Sequence, residues 1–241
     1  MSQPAPEGTS RRIVTVDGPA GSGKSTLGRR LAVALGLPLI DTGLFYRGVM
    51  VGALRAGVVG SGDPRAAEIA AAADIEVNTD PHAEGSWSLR FDGVTVDDIA
   101  RDPAHATLLA EISRIPEVRA ALLPRQRSLA STGAVAVGRD CGTVVFPWAP
   151  VKFYLQAAAD VRSGRRAEQL RGGGTVVDAA GLHAEVTGRD EADSGREVAP
   201  LRPAEDAHII DTGVVGIEEM VAEALEVCRS AGVLPAMEDR R

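Results

Sequence analysis

No stretch of this chain approaches the roughly 18–20 uncharged apolar residues that a membrane-spanning helix needs, so no helical passage through a bilayer is expected. Cysteine is nearly absent. The two present, Cys141 and Cys228, are far apart and belong to no close Cys/His spacing, which argues against a zinc site and a disulfide framework and leaves two buried thiols. Positive charge is outweighed: 26 basic against 33 acidic residues give a formal charge of −7, which argues against binding nucleic acid or another long polyanion. A small anion is still compatible, because a local arginine cluster can hold it. Lysine is almost missing, with Lys24 and Lys152 the only two, so the place of Lys24 stands out. Internal repeats are absent, and compositional bias is confined to the Pro/Ser/Gly-rich opening Met1 to Arg11. That opening lacks the apolar run of a secretion signal, reads as a disordered tail, and leads to a cytoplasmic expectation.

At 241 residues the chain can bury one full α/β core and carry small insertions. One domain is expected over about 12–234, between tails at 1–11 and 235–241. Ile13-Val-Thr-Val16 is a β-branched run ending in Asp17 and a glycine-rich turn, after which Leu27, Leu31, Ala34 and Leu35 recur at helical spacing. Pro38-Leu-Ile40 reads as a second strand, with Thr42 an N-cap for a helix from about Leu44 to Arg55. The pattern breaks near Gly60 to Pro64. Between Asp74 and Asp97 the text alternates, with Ile75 to Val77, Trp87 to Phe91 and Val94 to Val96 separated by turn residues such as Asp92-Gly93. This reads as a small antiparallel insert.

Helical text resumes from about Pro103 to Ile112, and Pro116 opens another helix at the position where proline is best tolerated. Ala134 to Val137 and Val151 to Leu155 are apolar, β-prone runs suited to the middle of a parallel sheet. Asp160 to Leu170 and about Ala179 to Glu191 read as helices joined by a flexible Gly172-Gly-Gly174. His208-Ile-Ile210 is a last short strand, and Met220, Val221, Ala224, Leu225 and Cys228 mark a closing amphipathic helix. Alternating strands and helices imply a three-layer α/β fold with a mostly parallel central sheet.

Gly18-Pro19-Ala20-Gly21-Ser22-Gly23-Lys24-Ser25 matches the phosphate-binding pattern G-x-x-x-x-G-K-[ST], in the strand-to-helix context which that pattern requires. The glycines let backbone N–H groups converge, and the following helix directs its positive end to the same point, so a polyphosphate is held by several donors. Lys24 would bridge the β- and γ-phosphates, Ser25 would offer a hydroxyl to magnesium, and Thr26 completes the segment. GTPases, motor ATPases and kinases all share such a P-loop, so the rest of the chain must name the acceptor.

An enzyme whose acceptor is itself a phosphate should carry many arginines in loops and at helix starts. Arg47, Arg119, Arg139, Arg162, Arg165, Arg166, Arg189 and Arg196 all fall at element ends or in suspected lid text. The segment Val137-Gly-Arg-Asp-Cys-Gly-Thr-Val-Val-Phe-Pro147 closely resembles one carried by bacterial cytidylate kinases. Agreement extends to Asp41-Thr-Gly43 with Tyr46-Arg47, Ile115-Pro-Glu-Val-Arg119 with Arg125-Gln-Arg127, Arg189-Asp-Glu-Ala-Asp-Ser-Gly-Arg196, and Val198-Ala-Pro-Leu201. The resemblance covers about Ile13 to Leu234.

The resemblance implies a P-loop NTPase fold with a monophosphate-binding insert at about 65–112 and a helical lid at about 158–196. It implies transfer from Mg-ATP to CMP or dCMP by a monomer. Arg47 and Arg139 would grip the acceptor phosphate, a task for bidentate guanidinium; Thr42 and Tyr46 would line that pocket. Arg119 and Asp140 would read the cytosine edge, Asp193 with Arg189 would hold the sugar, and Arg196 would complete the acceptor side. Lys24, Arg139, Arg162 and Arg166 form the expected catalytic set, the last two as lid arginines beside Arg165. Three positions depart from the family pattern. Ala110 stands where a serine is usual for reading the base, Val137 replaces an acidic residue, and Trp148 replaces an aspartate. If Ala110 lies on a helix, Ser113 is on the same face, but one turn displaces it too far along the axis to replace the missing hydroxyl. Two other readings are weaker: an alcohol kinase would need a base for the hydroxyl proton, and a GTPase-like switch would need a base-reading Asn-Lys-x-Asp segment that this chain lacks.

Overall fold

The computed structural model describes residues 12–233 apart from 59, 61, 84 and 173–177. The tails expected at 1–11 and 235–241, and Gly173 and Gly174 of the expected joint, lie outside the described residues. Five parallel strands form the central sheet, in the order β2-β6-β1-β7-β8. They are β1 (Ile13–Asp17), β2 (Leu39–Asp41), β6 (Ala134–Gly138), β7 (Val151–Gln156) and β8 (His208–Asp211). All of β1 is buried, and it lies between β6 and β7, with Val14 opposite both Val135 and Val151. Its β-branched run is the sequence a strand covered on both faces requires.

Helices α1 (Lys24–Leu35) and α9 (Ile217–Ser230) cover one face, where Leu27, Leu31, Met220, Ala224 and Cys228 meet Val14, Val16 and Phe153. Contact between α1 and β6 is close: a Cβ on Gly28 would come within 2.3 Å of Val137 Cγ1, so only glycine fits there. On the other face Ile13, Ile40, Ala136, Cys141 and Phe146 form a second cluster.

A further core is built on α2 (Gly43–Arg55), α3 (Arg65–Ala72), α4 (Asp97–Arg101), α5 (Ala106–Ile112) and α6 (Pro116–Ser128). They pack with an antiparallel sheet of β3 (Ile75–Thr79), β4 (Trp87–Phe91) and β5 (Val94–Thr95). Asp92 and Gly93 both adopt positive φ, 49° and 74°, which suits a two-residue hairpin turn. Helices α7 (Ala159–Gly172) and α8 (Ala179–Ser194) lie against each other, with Ser163 Oγ 3.3 Å from His183 Nδ1.

Three local expectations are corrected. The helix expected from Pro103 begins as a 3-10 turn at Pro103–His105 before α5, and α4 precedes it. Ala34 is exposed and Ala32 takes the buried place in α1. Thr42 occupies the N-cap position of α2 without capping it; its Oγ1 donates to Val137 O at 3.1 Å instead, and the Asp41 side chain accepts from Gly43 N–H at 2.9 Å.

Candidate active site

The carboxyl ends of β1, β2 and β6 deliver the chemistry-bearing residues to one edge of the sheet, where open α/β folds bind ligands. From β1 the chain turns at Gly18, whose φ is 148° and whose missing Cβ would lie 2.2 Å from Leu155 O. The loop's carbonyls are held by its own lysine and by side chains from outside it. Lys24 Nζ donates to Pro19 O, Arg162 Nη1 to Ala20 O at 3.0 Å, and Thr212 Oγ1 to Ser22 O at 3.1 Å. Within the loop Ser22 N–H also donates to Pro19 O at 3.4 Å, and the convergence of the remaining N–H groups suits an anion. Ser25 is exposed at the second residue of α1, and Thr26 follows it half-buried. Lys24 is buried, and its pKa falls well below the usual lysine value, mainly through loss of water and then through repulsion by Arg139.

Asp17, at the end of β1, ties this loop to the segment after β6. Its carboxylate accepts from Cys141 N–H at 2.8 Å and Gly142 N–H at 2.7 Å, the start of a π-helical turn at Cys141–Val145. That turn places Arg139 and Asp140 just ahead of it. At its other end Arg127 donates to Val145 O at 2.8 Å and Val144 O at 2.9 Å, and its guanidinium lies 4.8 Å from the Trp148 ring centroid. Trp148 thus supports Arg127 by a cation–π contact, which gives its departure from the family's aspartate a physical role. Val137, the other departure beside this segment, is buried against α1.

Burial raises the Asp17 pKa to about 6 from 3.8, and the charge of Asp140 adds to this. The native state therefore holds this proton more tightly than the unfolded chain, and the contribution of Asp17 to stability improves as pH falls through about 6. Relative to Asp17→Asn, the wild type should gain on the order of 1–2 kcal/mol of unfolding free energy between about pH 7.5 and pH 5. Denaturant melts at the two pH values check this. A difference that did not move with pH would contradict a buried, proton-binding Asp17.

The expected acceptor residues form one linked group. Arg119 Nη2 donates to Asp140 Oδ2, with both side chains buried, and the Arg119 guanidinium lies 5.4 Å from the Tyr46 ring centroid. Burial pushes the Tyr46 phenol up to about 12. Arg139 Nε donates to Asp193 Oδ2 at 2.9 Å, and Arg196 Nη2 donates to Asp193 Oδ1. These two cations hold the Asp193 pKa below the usual carboxylate range despite burial. Arg47 Nη1 donates to Ala100 O, and Thr42 O accepts from Gln126 Nε2 at 3.3 Å. Loss of water lowers the pKa of Arg47 and of Arg189; Arg101 and Arg166 repel Arg47, while Arg139 and Arg47 repel Arg189.

Two of the expected lid arginines, Arg162 and Arg165, bind backbone and side chains near the P-loop. Arg162 is buried and donates to Ala157 O at 2.8 Å, to Ala20 O and to Asp190 Oδ2, so it binds the P-loop to both α7 and α8. Arg165 donates to Thr212 Oγ1 at 3.1 Å and to Thr212 O. Arg166 is exposed on α7, on the side of Arg47. Sequence reasoning missed Asp17, Asp190 and Thr212, and it set Ser113 aside. Asp17 directly precedes Gly18 and could have been found by that adjacency, whereas nothing in the local text marks Asp190 or Thr212.

A P-loop at the head of a parallel sheet, met from across the cleft by a group of arginines, is the architecture of a P-loop phosphotransferase. The family model described as cytidylate kinase matches residues 14–230, and this chain belongs to that family of nucleotide kinases. The cytidylate kinase of Granulibacter bethesdensis is 45% identical over 221 residues, covering 91% of this chain and 97% of its own. That of Shewanella loihica is 43% identical over 227 residues, covering 93% and 95%. That of Pelotomaculum thermopropionicum is 41% identical over 209 residues, covering 86% and 92%. Among the described residues, no helix is long and apolar enough to cross a membrane.

Proposed function

We propose that this kinase transfers the γ-phosphoryl group of Mg-ATP to CMP and dCMP, acting as a cytoplasmic monomer. One observation carries the choice of base: the buried Arg119–Asp140 pair stands among the arginines of the acceptor side. Cytosine presents acceptors at N3 and O2 and a donor at its exocyclic amine, so a guanidinium and a carboxylate side by side match its edge. Uracil offers a carbonyl where cytosine has the amine, and it would meet the Asp140 carboxylate as a second acceptor.

Arg47 and Arg139 neutralise the acceptor phosphate, within a pocket lined by Thr42 and Tyr46. Asp193, with Arg189, holds the sugar, and Arg196 completes this side. The acceptor is already anionic, so an oxygen of its phosphate attacks the γ-phosphorus in line and ADP leaves without a general base. Lys24 and the segment Gly18 to Thr26, through its N–H groups other than at Pro19, which has none, hold the donor phosphates, and Arg166 approaches from the lid at about 158–196. Arg162 acts through the loop it anchors.

Magnesium is commonly held by substrate phosphates, water and few protein ligands. The exposed Ser25 at the start of α1, beside the P-loop, fits such a site and would supply a hydroxyl ligand. When bound, the ion neutralises charge on the β- and γ-phosphate oxygens.

Transfer of labelled γ-phosphate from ATP to CMP, resolved by chromatography, tests this reading. Labelled CDP is the expected product, and release of inorganic phosphate alone would contradict it. Helices α7 and α8 are expected to close when both substrates are present, because phosphates then relieve the repulsion that Arg139 and Arg47 exert on Arg189 of α8. Amide exchange over Asp160 to Arg196 should slow on adding CMP with a non-hydrolysable ATP analogue. Unchanged exchange would count against closure.

A further inference from the structure

Ser113 follows the last residue of α5 and is buried, with 9% of its surface exposed. The last carbonyls of a helix have no intrahelical partners, and two guanidinium contacts converge at this end. Ser113 O accepts from Arg119 Nη1 at 3.0 Å. Its hydroxyl donates to Ala110 O at 2.9 Å and accepts from Arg196 Nη2 at 3.1 Å. A serine hydroxyl has one proton to give, so donation to Ala110 O turns its lone pairs toward Arg196. The proton is then spent within the protein, and Ser113 is no substitute for the base-reading serine absent at Ala110.

Arg196 depends on that hydroxyl. Its Nε is buried without a hydrogen-bond partner, its Nη2 divides its protons between Asp193 and Ser113, and its pKa is lowered mainly by loss of water. Loss of the Ser113 hydroxyl would orphan a second N–H on a dehydrated cation, and the guanidinium would be freed to turn away. Arg196 stands just beyond α8, Arg119 on α6 and Ser113 at the end of α5, so one residue joins the base-reading arginine to the arginine that follows the lid helix.

We propose that Ser113 is a positioning residue that fixes Arg196, and through its carbonyl Arg119, for the incoming monophosphate, an inference that rests on reading this cleft as the CMP site. Sequence reasoning assigned Ser113 no part in replacing the hydroxyl missing at Ala110; the contact with Arg196 is the ground for assigning it this different part. Titration calorimetry on wild type, Ser113→Ala, Arg196→Ala and the double variant tests it, with CMP and a non-hydrolysable ATP analogue as separate probes. Ser113→Ala should weaken CMP binding about tenfold, the loss of one hydrogen bond to a charged group, and leave the ATP analogue within about twofold. In the Arg196→Ala background, Ser113→Ala should add nothing. Undiminished CMP affinity in Ser113→Ala, an equal loss for the ATP analogue, or the same loss persisting without Arg196 would each overturn the inference. A wild-type protein that binds the ATP analogue but not CMP would overturn the CMP-site reading itself, and the inference with it.

Discussion

Lys24→Ala is expected to yield a folded protein with less than about a tenth of wild-type turnover, a barrier increase of at least ~1.4 kcal/mol. Lys24 opens α1 directly behind the P-loop, and its ammonium reaches only a loop carbonyl, Pro19 O, among its hydrogen bonds. Burial and the charge of Arg139 disfavour its protonated form, so the site is short of negative charge until polyphosphate arrives. Bound phosphates would supply the missing negative charge and favour the ammonium form. Alanine removes that charge without opening the core, because the apolar stripe of α1 is carried by Leu27, Leu31 and Leu35. Turnover by coupled ADP release, beside a thermal melt, separates the two effects. A folded variant retaining more than about a tenth of the activity would contradict the role assigned to Lys24.

Asp140→Ala and Arg139→Ala, though neighbours, should fail in different ways. Arg139 serves the acceptor phosphate, which carries no base information, so its loss should lower kcat/KM for CMP and UMP by the same factor. Asp140 is proposed to read the base. Its removal should lower kcat/KM for CMP about ten- to hundredfold, the cost of leaving a buried polar group unpaired, and lower UMP much less. The same substitution strands the buried Arg119 charge, with a stability loss of about 3–5 kcal/mol, so Asp140→Asn serves as the isosteric companion. The asparagine amide can donate to a carbonyl, and this variant should shift preference toward UMP. Equal losses for the two substrates in both Asp140 variants would exclude base reading by this carboxylate.

How far the sequence reached depended on whether one local run carried the signal. The β-branched runs at Ile13 and Ala134 and the P-loop between Gly18 and Ser25 each combine residue type with spacing, and strands β1 and β6 and helix α1 lie where that text indicates. Asp92-Gly93 likewise announced the hairpin of β4 and β5. Thr42 was misread because an N-cap and a tertiary hydrogen bond ask for the same side chain, and the choice was made by Val137 O, 95 positions away. The π-helical turn at Cys141–Val145 has no local signature. It is held by Asp17 at one end and Arg127 at the other, partners far removed in sequence.

The candidate site divides in the same way. Arg47, Arg119, Arg139, Asp140, Asp193 and Arg196 were legible as motif residues, but their pairing was not. Asp193 lies between Arg139 and Arg196, and Arg119 against Asp140, only because β6, α6 and α8 meet at one edge of the sheet. Arg162 read as one more lid arginine, and its bond to Ala20 O ties it to the P-loop. Ser113 was set aside on axial distance from Ala110, an argument that left out its contact with Arg196. Trp148 and Arg127 form a contact across two elements that neither residue implies alone.

The most direct test of the account is a coupled ADP-release assay with ATP, magnesium and each of CMP, UMP, AMP and GMP as the sole acceptor, with dCMP as a fifth. The account predicts steady turnover that is fastest with CMP, retained with dCMP and weaker with UMP, with little above the acceptor-free rate for the purines. Equal rates across the panel, preference for a purine, or no acceptor-dependent ADP release would contradict it.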